Sequence, residues 1–357
     1  MGSNVTDVDG NRFVDMTAGF GVASAGHRNP KVIKAAQNQM GILPHAMGDA
    51  FPDTTRIELM ERLAALTGLD RAILGSSGSD AVEAALKTGR ILSGKPSVLA
   101  FKGGYHGLSY GALAVTGYHP GAFRGPFEDQ ISNHVQYGEF GGKIPDLRDI
   151  GTVIVEPIQG RGGIRVPPSG WLQELADKAR AAGAALIFDE IYTGFGRTGD
   201  WFAFQTEGVR PDLLVLGKGM AGGFPISAAM GTAEAMDAWG ASQGEAIHTQ
   251  TFLGNPVGCA MALACIGELK SVIPTVTAKG ERLRGILVKR GYTVRGRGLM
   301  LGIELDDTLS VSRSLLQRGF IILPAGEEAE VLGITPPLTI TDDQLIAFVS
   351  ALDEVTR

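Results

Sequence analysis

Leu213-Leu214-Val215-Leu216-Gly217-Lys218-Gly219 is the stretch that decides the fold of this 357-residue chain. Four apolar residues in a row, stopped by glycine, describe a short strand buried on both faces, the kind that sits inside a parallel sheet. Two runs upstream share the form: Thr152–Val155 stops at Glu156, and Ala185–Phe188 stops at Asp189-Glu190. A further β-rich run spans Ser97–Phe101, and helical stretches such as Gly170–Ala182 separate the runs. Strands alternating with helices predict an α/β protein with a mostly parallel central sheet covered by helices.

Working outward, Ile57, Leu59, Met60, Leu63 and Leu66 recur at helical spacing within Thr54–Leu66, and Ser79–Leu92 opens a helix with Asp80 and Glu83 in its first turns. After residue 275 the pattern changes to a helix over Val276–Arg290, strands at Tyr292–Arg295 and Met300–Leu305, another helix, a strand at Phe320–Leu323 and a last helix from Asp342. The opening reads as a strand over Val5–Asp7, a turn at Asp9-Gly10-Asn11 and a strand over Arg12–Asp15, too little to fold alone. The expected organisation is an N-terminal segment over 1–44 that packs with a smaller C-terminal α+β domain over 276–357, and a large domain over 45–275.

Acids outnumber bases by 38 to 32, for a formal charge of −6, and no Lys/Arg stripe could follow a phosphate backbone, so nucleic acid is excluded as a partner. Cys259 and Cys265 lie in an Ala-rich helical stretch and read as buried thiols. The six histidines show no metal-ligand spacing, so no metal site is expected. No basic-then-apolar leader opens the chain, and no uninterrupted apolar run reaches the roughly 20 residues of a spanning helix. No membrane association is expected, and a cytoplasmic location is the default.

In an open α/β sheet the ligand lies beyond the carboxyl ends of the strands, so Glu156, Asp189-Glu190 and Lys218 are the residues to weigh. The glycines around Lys218 let a planar group approach the backbone; a solvated surface lysine is the plain alternative. A P-loop would need Gly where Asp212 stands and Ser or Thr where Gly219 stands. Asp189, delivered by an apolar strand, needs a cationic partner such as a protonated pyridine nitrogen, or else serves as a turn cap. Gly75-Ser76-Ser77-Gly78-Ser79-Asp80 leads into a helix and reads equally as a phosphate cup and as simple N-capping by Ser77 or Ser79. A nicotinamide site would need G-x-G-x-x-G between the first strand and helix, and Gly19-Phe20-Gly21 lacks that pattern.

Taken together these residues resemble the class III pyridoxal-phosphate aminotransferases of the fold-type I superfamily, with an omega or amine-transaminase character. The motifs match in order: Asp9-Gly10-Asn11; Gly26-His27-Arg28-Asn29-Pro30; Ser77-Gly78-Ser79-Asp80; Tyr105-His106-Gly107; Glu156-Pro157-Ile158-Gln159-Gly160; Asp189-Glu190-Ile191; Gly194-Phe195-Gly196-Arg197-Thr198-Gly199; Lys218; Thr251-Phe252-Leu253-Gly254-Asn255-Pro256; and Arg295-Gly296-Arg297-Gly298-Leu299-Met300. The resemblance implies pyridoxal 5'-phosphate as cofactor, with Lys218 bonded to it as a Schiff base and then moving protons. It implies that Asp189 keeps the pyridine nitrogen protonated and that Tyr105 and Ile191 cover the two ring faces. Ser77, Gly78, Ser79 and Thr251 would hold the phosphate, Thr251 across the interface of a homodimer, while His106 belongs to the aromatic loop and Glu156 and Tyr192 lie near the ring hydroxyl. Tyr192 stands where better-known members carry glutamine.

Three departures bear on substrate. Leu108 follows the aromatic-His-Gly motif, where relatives acting on two-carboxylate amino acids carry Arg. Gly333, ahead of Ile334-Thr335-Pro336-Pro337-Leu338, stands where the clamp for the α-carboxylate is usually Arg, and Arg161 replaces the glutamate that gates it. Arg161 is expected either to bind the carboxylate of an acceptor such as pyruvate or to be a solvated loop residue. With Phe20 as an aromatic pocket surface, the donor expected is a neutral or apolar amine and the acceptor a keto acid. An aminomutase, racemase or decarboxylase would use the same Lys218 and Asp189, and a pyridoxal-binding protein without activity is a further alternative. The stretch between Tyr118 and Ile150 is shorter than in most relatives, which would remove part of an entrance wall or dimer surface.

Overall fold

The computed structural model describes residues 1–48, 50–131, 134–244 and 246–356. A seven-stranded sheet forms its centre, in the order Arg71–Gly75, Ser227–Gly231, Leu213–Leu216, Ala185–Asp189, Ile150–Val155, Ser97–Phe101, Val135–Gly138. The five strands from Leu213–Leu216 to Val135–Gly138 are mutually parallel; Ser227–Gly231 runs antiparallel to both of its neighbours. Ile150–Val155, Ala185–Asp189 and Leu213–Leu216 are buried along their whole length, as continuous apolar runs demand. Ser227–Gly231 escapes a reading by pattern because its Ser-Ala-Ala-Met-Gly sequence lacks branched residues; it is a strand because both neighbours pair with it.

Helix Gly78–Ser93 packs across the sheet on its small residues Ala81, Ala84, Ala85 and Gly89. A side chain at Gly89 would stand 2.6 Å from Thr152 Oγ1, so the helix approaches the strand as closely as backbone allows. The opposite layer is dominated by helix Pro256–Lys289, which packs on helices Pro30–Ile42 and Thr54–Thr67. Asn255 caps it, accepting from the N–H groups of Val257 and Gly258. This helix is long and apolar enough to cross a membrane by length and composition, but Cys259, Ala262, Cys265, Ile266, Leu269 and Val276 along it are buried in the protein core. It also corrects the expectation of a helix confined to Val276–Arg290: Pro274 interrupts the pattern, yet the helix runs through it, held on both sides by packing.

Beyond that helix, Val294–Arg297, Met300–Glu304, Val331–Ile334 and Leu323–Ala325 form an antiparallel sheet in that order. The run expected as a single strand over Phe320–Leu323 divides between two sheets. Phe320–Ile321 pairs in parallel with Arg12–Asp15, which in turn pairs with Asn4–Thr6, whereas Leu323–Ala325 joins Val331–Ile334. One short apolar run therefore bolts the N-terminal hairpin to the C-terminal sheet.

Candidate active site

Register fixes where the chemistry-bearing residues emerge. Val155 stands beside Phe188 and Asp189 beside Val215, so Glu156, Asp189 and the Gly217-Lys218 turn leave three adjacent parallel strands at one rim. Lys218 has φ 29, a left-handed value costly for any residue with a Cβ, and such strain concentrates at working sites. Its neighbour Gly219 leaves room for Ser24, whose Oγ would lie 2.7 Å from an added Cβ. Nζ of Lys218 lies 4.2 Å from the ring centroid of Tyr192 and, among the described residues, makes no hydrogen bond or ion pair. Burial holds its pKa below that of an ordinary lysine, against the pull of Asp189 and Glu156 and with a push from Arg161.

Asp189 is buried, with Oδ2 2.7 Å from Nδ1 of His106 and Oδ1 accepting the N–H of Ile191. Glu156 accepts the N–H of Tyr105 on one oxygen and that of Gly160 on the other, fastening the aromatic loop to the strand end. Desolvation lifts its pKa to about 7, despite the opposing charge of His106. Glu190 points elsewhere. Its oxygens accept from the N–H groups of Ala203 and Phe204 and the hydroxyl of Thr193, so of the Asp189-Glu190 pair only Asp189 serves the rim.

At the start of helix Gly78–Ser93, Ser77 caps the N–H of Asp80, and Asp80 reaches back to the N–H of Ser76. Ile191 lies against Gly78 and Gly217, 2.9 Å and 3.5 Å from a Cβ built at each, while a side chain at Gly107 would strike Ser79 Oγ. The result is a narrow slot beside a helix N-terminus, with an unpaired amine and a buried carboxylate in reach. These residues fit a flat, phosphorylated pyridine aldehyde: small residues leave space for the ring, Asp189 suits a protonated ring nitrogen, and the Ser77-Gly78-Ser79 turn suits the phosphate.

A cavity of about 370 Å3 opens above Lys218. Phe20, Tyr105, Tyr118, Ile164, Tyr192 and the Leu323–Ala325 strand supply its apolar walls; Thr17, Thr335 and Arg161 supply its polar groups. The guanidinium of Arg161 lies 4.5 Å from the ring centre of Tyr105, 5.2 Å from that of Tyr118 and 5.9 Å from that of Phe123. Gly333 is also in the lining. Ser77, Gly78, Ser79, His106, Glu156, Asp189 and Ile191 lie outside its lining, and so do Leu108, which is exposed, and Thr251, which lines a separate recess with His45 and Met47. Phe20 stands at the mouth, 68% exposed and with φ 63.

The family model described as Aminotransferase class-III matches residues 1–356. The chain belongs to the class III aminotransferases. The acetylornithine aminotransferase of Methanosarcina mazei is 34% identical over 99% of this chain and 89% of its own, and that of Corynebacterium efficiens 38% identical over 99% and 90%. Among solved structures, the ornithine aminotransferase of Toxoplasma gondii superposes with a TM-score of 0.91 at 29% identity, covering 99% of this chain and 88% of its own. A PLP-bound amine transaminase from an uncultivated Pseudomonas species superposes with a TM-score of 0.90 at 28% identity, covering 99% and 93%. The class III aminotransferase described here is thus a fold-type I enzyme that uses pyridoxal phosphate to transfer amino groups between small molecules.

Sequence reasoning passed over three residues of this aminotransferase. Thr17 and Thr335 reach the cavity from the N- and C-terminal segments, and isolated threonines carry no spacing signal. Arg197, quoted only as part of a glycine-rich motif, is fully buried; its Nη1 donates to the carbonyls of Leu299 (3.0 Å) and Pro336 (2.6 Å), and burial brings its pKa down to about 10.

Proposed function

We propose that this aminotransferase moves the amino group of a neutral or apolar amine to a small keto acid such as pyruvate, in two half-reactions that share one pocket. The observation that carries the reading is Arg161. Among the described residues it forms no salt bridge, and although the residue is exposed, its guanidinium lines the cavity above Lys218 against the rings of Tyr105, Tyr118 and Phe123. A cation so held is available to a substrate carboxylate, which a guanidinium meets with two parallel hydrogen bonds. The rest of the wall is mostly apolar, apart from the hydroxyls of Thr17 and Thr335, and Gly333 brings no charge, so a donor without a carboxylate loses least on entry.

In this reading pyridoxal phosphate supplies the electron sink. Lys218 binds it and carries the transferred proton; its lowered pKa gives a neutral, basic amine closer to physiological pH. Asp189, oriented by His106, holds the proton of the ring nitrogen, and Glu156 sets the aromatic loop that places Tyr105. Ile191 closes the other face, and Ser77, Gly78 and Ser79 receive the phosphate. Thr251 lies apart from Lys218 within one chain, which suits delivery to a second subunit's phosphate in a homodimer. Leu108, exposed on one chain, would contribute at that same interface. The division at 44 and 275 fits a unit, residues 1–44 and 276–357, that carries Thr17, Phe20 and Thr335 to the pocket.

Several relatives are named acetylornithine aminotransferases, and their substrate makes a useful competitor. Initial rates with a panel of aryl-alkyl amines and pyruvate, against N-acetylornithine and glutamate, decide between the two. Arg161→Ala is expected to raise KM for the keto acid tenfold or more, about 1.4 kcal/mol or above, and that for an uncharged amine little. Equal effects on both substrates, or faster turnover of glutamate than of any amine, would overturn the assignment.

A further inference from the structure

Tyr192 stands where a family glutamine is usual, and its surroundings show that the replacement is built in. Its ring fills the gap between two glycines: a Cβ at Gly21 would lie 2.4 Å from Cε2, and one at Gly160 2.3 Å from Cδ1. Its hydroxyl is 3.0 Å from Oγ1 of Thr335, which donates in turn to the carbonyl of Thr17. Met300, Ile158 and Ile164 complete the packing. The ring cannot swing aside, and one of its faces is turned to Nζ of Lys218 at 4.2 Å.

We propose that the ring of Tyr192 is a positioning platform for the ε-amino group of Lys218, binding its protonated form by a cation–π contact whenever that group is free and carries the proton. This rests on Lys218 being the working amine. An ammonium in this pocket is drawn by the charges of Asp189 and Glu156, but no ion pair forms among the described residues and their oxygens hold other donors. Both oxygens of Asp189 are taken by His106 and the Ile191 N–H, and both oxygens of Glu156 by backbone N–H groups. The remaining charge near Lys218 is Arg161, which repels it. The face of the half-buried Tyr192 phenol, whose own proton desolvation holds in place, is the surface that lies directly against Nζ. The glutamine found in relatives would offer an amide instead, so the platform is a property of this chain.

The test uses the full-length protein with its cofactor removed. Reactivity of Lys218 toward acetic anhydride, read by mass spectrometry across a pH series, gives the midpoint of its titration. Tyr192→Phe, which keeps the ring, is expected to match the parent protein, and Tyr192→Leu to titrate on the order of one pH unit lower. Should Tyr192→Leu fail to fold, Tyr192→Met, which fills more of the space with neither an aromatic face nor an amide, gives the same comparison. A ring-less variant that folds and labels at the parent midpoint would sink the platform, as would an equal shift in Tyr192→Phe, which assigns the effect to the hydroxyl. Borohydride trapping after reloading with pyridoxal phosphate separates the two levels: no adduct at position 218 in the parent protein is a failure of the functional reading, whereas an adduct with an unmoved midpoint in the ring-less variant is a failure of this one.

Discussion

Gly333 and Arg161 face one cavity from distant parts of the chain, and the chemistry between them turns on which of the two carries charge. A Cβ at Gly333 would meet only the carbonyl of Leu323 at 3.5 Å and Cβ of Ala325 at 3.8 Å, ordinary contacts, and the backbone there needs no glycine. Gly333→Arg is therefore expected to fold, to bring the usual carboxylate clamp back, and to raise kcat/KM for glutamate on the order of tenfold or more. Paired initial rates on glutamate and on an aryl-alkyl amine measure it; a variant that is stable but gains nothing for glutamate would show that position 333 does not reach the donor. At this scale the sequence was most informative about residues whose role depends on type. Lys218, Asp189, Tyr105 and Arg161 stood out as candidates, and the fold brings Lys218, Tyr105 and Arg161 to one cavity, whereas Thr17 and Thr335 did not stand out, because a hydroxyl acquires meaning only from the cavity it faces.

The short helix Ala203–Glu207 begins on a buried acid. Glu190 accepts from two of its first N–H groups, and desolvation pushes its pKa up to about 7, as it does for Glu156. Unfolded, both acids release their protons near 4.5; folded, both keep them to about 7. Between those values the folded protein binds more protons than the unfolded one, so its stability falls as pH rises through that window and is level in this respect above it. Each group sets an upper limit on the order of 3 kcal/mol. Calorimetry of the cofactor-free protein is expected to show the unfolding midpoint dropping from pH 5 to 7, with a shallower drop in Glu190→Gln; a midpoint that rises over that range would contradict the assignment. Elements were legible where an apolar run had one environment: Ser97–Phe101 and Leu213–Leu216 are bounded as their sequences suggest. Phe320 to Ala325 serves two sheets, and Ser227–Gly231 is a strand by virtue of its neighbours, which no local pattern reports.

Across the whole molecule, Arg197 joins the turn after the Asp189 strand to the carbonyls of Leu299 and Pro336, which flank two adjacent strands at one end of the C-terminal sheet. Its Nε and Nη2 are buried without a partner among the described residues, so its worth lies in the two carbonyls it ties. Arg197→Met, which fills much of the same space but bonds neither carbonyl, is expected to lower unfolding stability by at least about 1.5–3 kcal/mol in denaturant titration, the worth of one charged hydrogen bond. An unchanged midpoint would mean that the C-terminal sheet is held by its apolar contacts alone.

The resemblance of the chain's ordered motifs to the class III aminotransferases implied pyridoxal phosphate, and the sequence by itself determined the α/β class and the three strand ends that carry Glu156, Asp189 and Lys218. These follow from runs of apolar residues and from side chains with distinctive chemistry, both properties of the local chain. Tertiary structure alone decided that Glu190 turns away to cap a helix while Asp189 faces the rim, that Tyr192 is wedged between Gly21 and Gly160 over Lys218, and that Arg161 lines the cavity against three rings. Those relations join residues far apart in the chain through packing, and packing is settled only when every segment has found its neighbours.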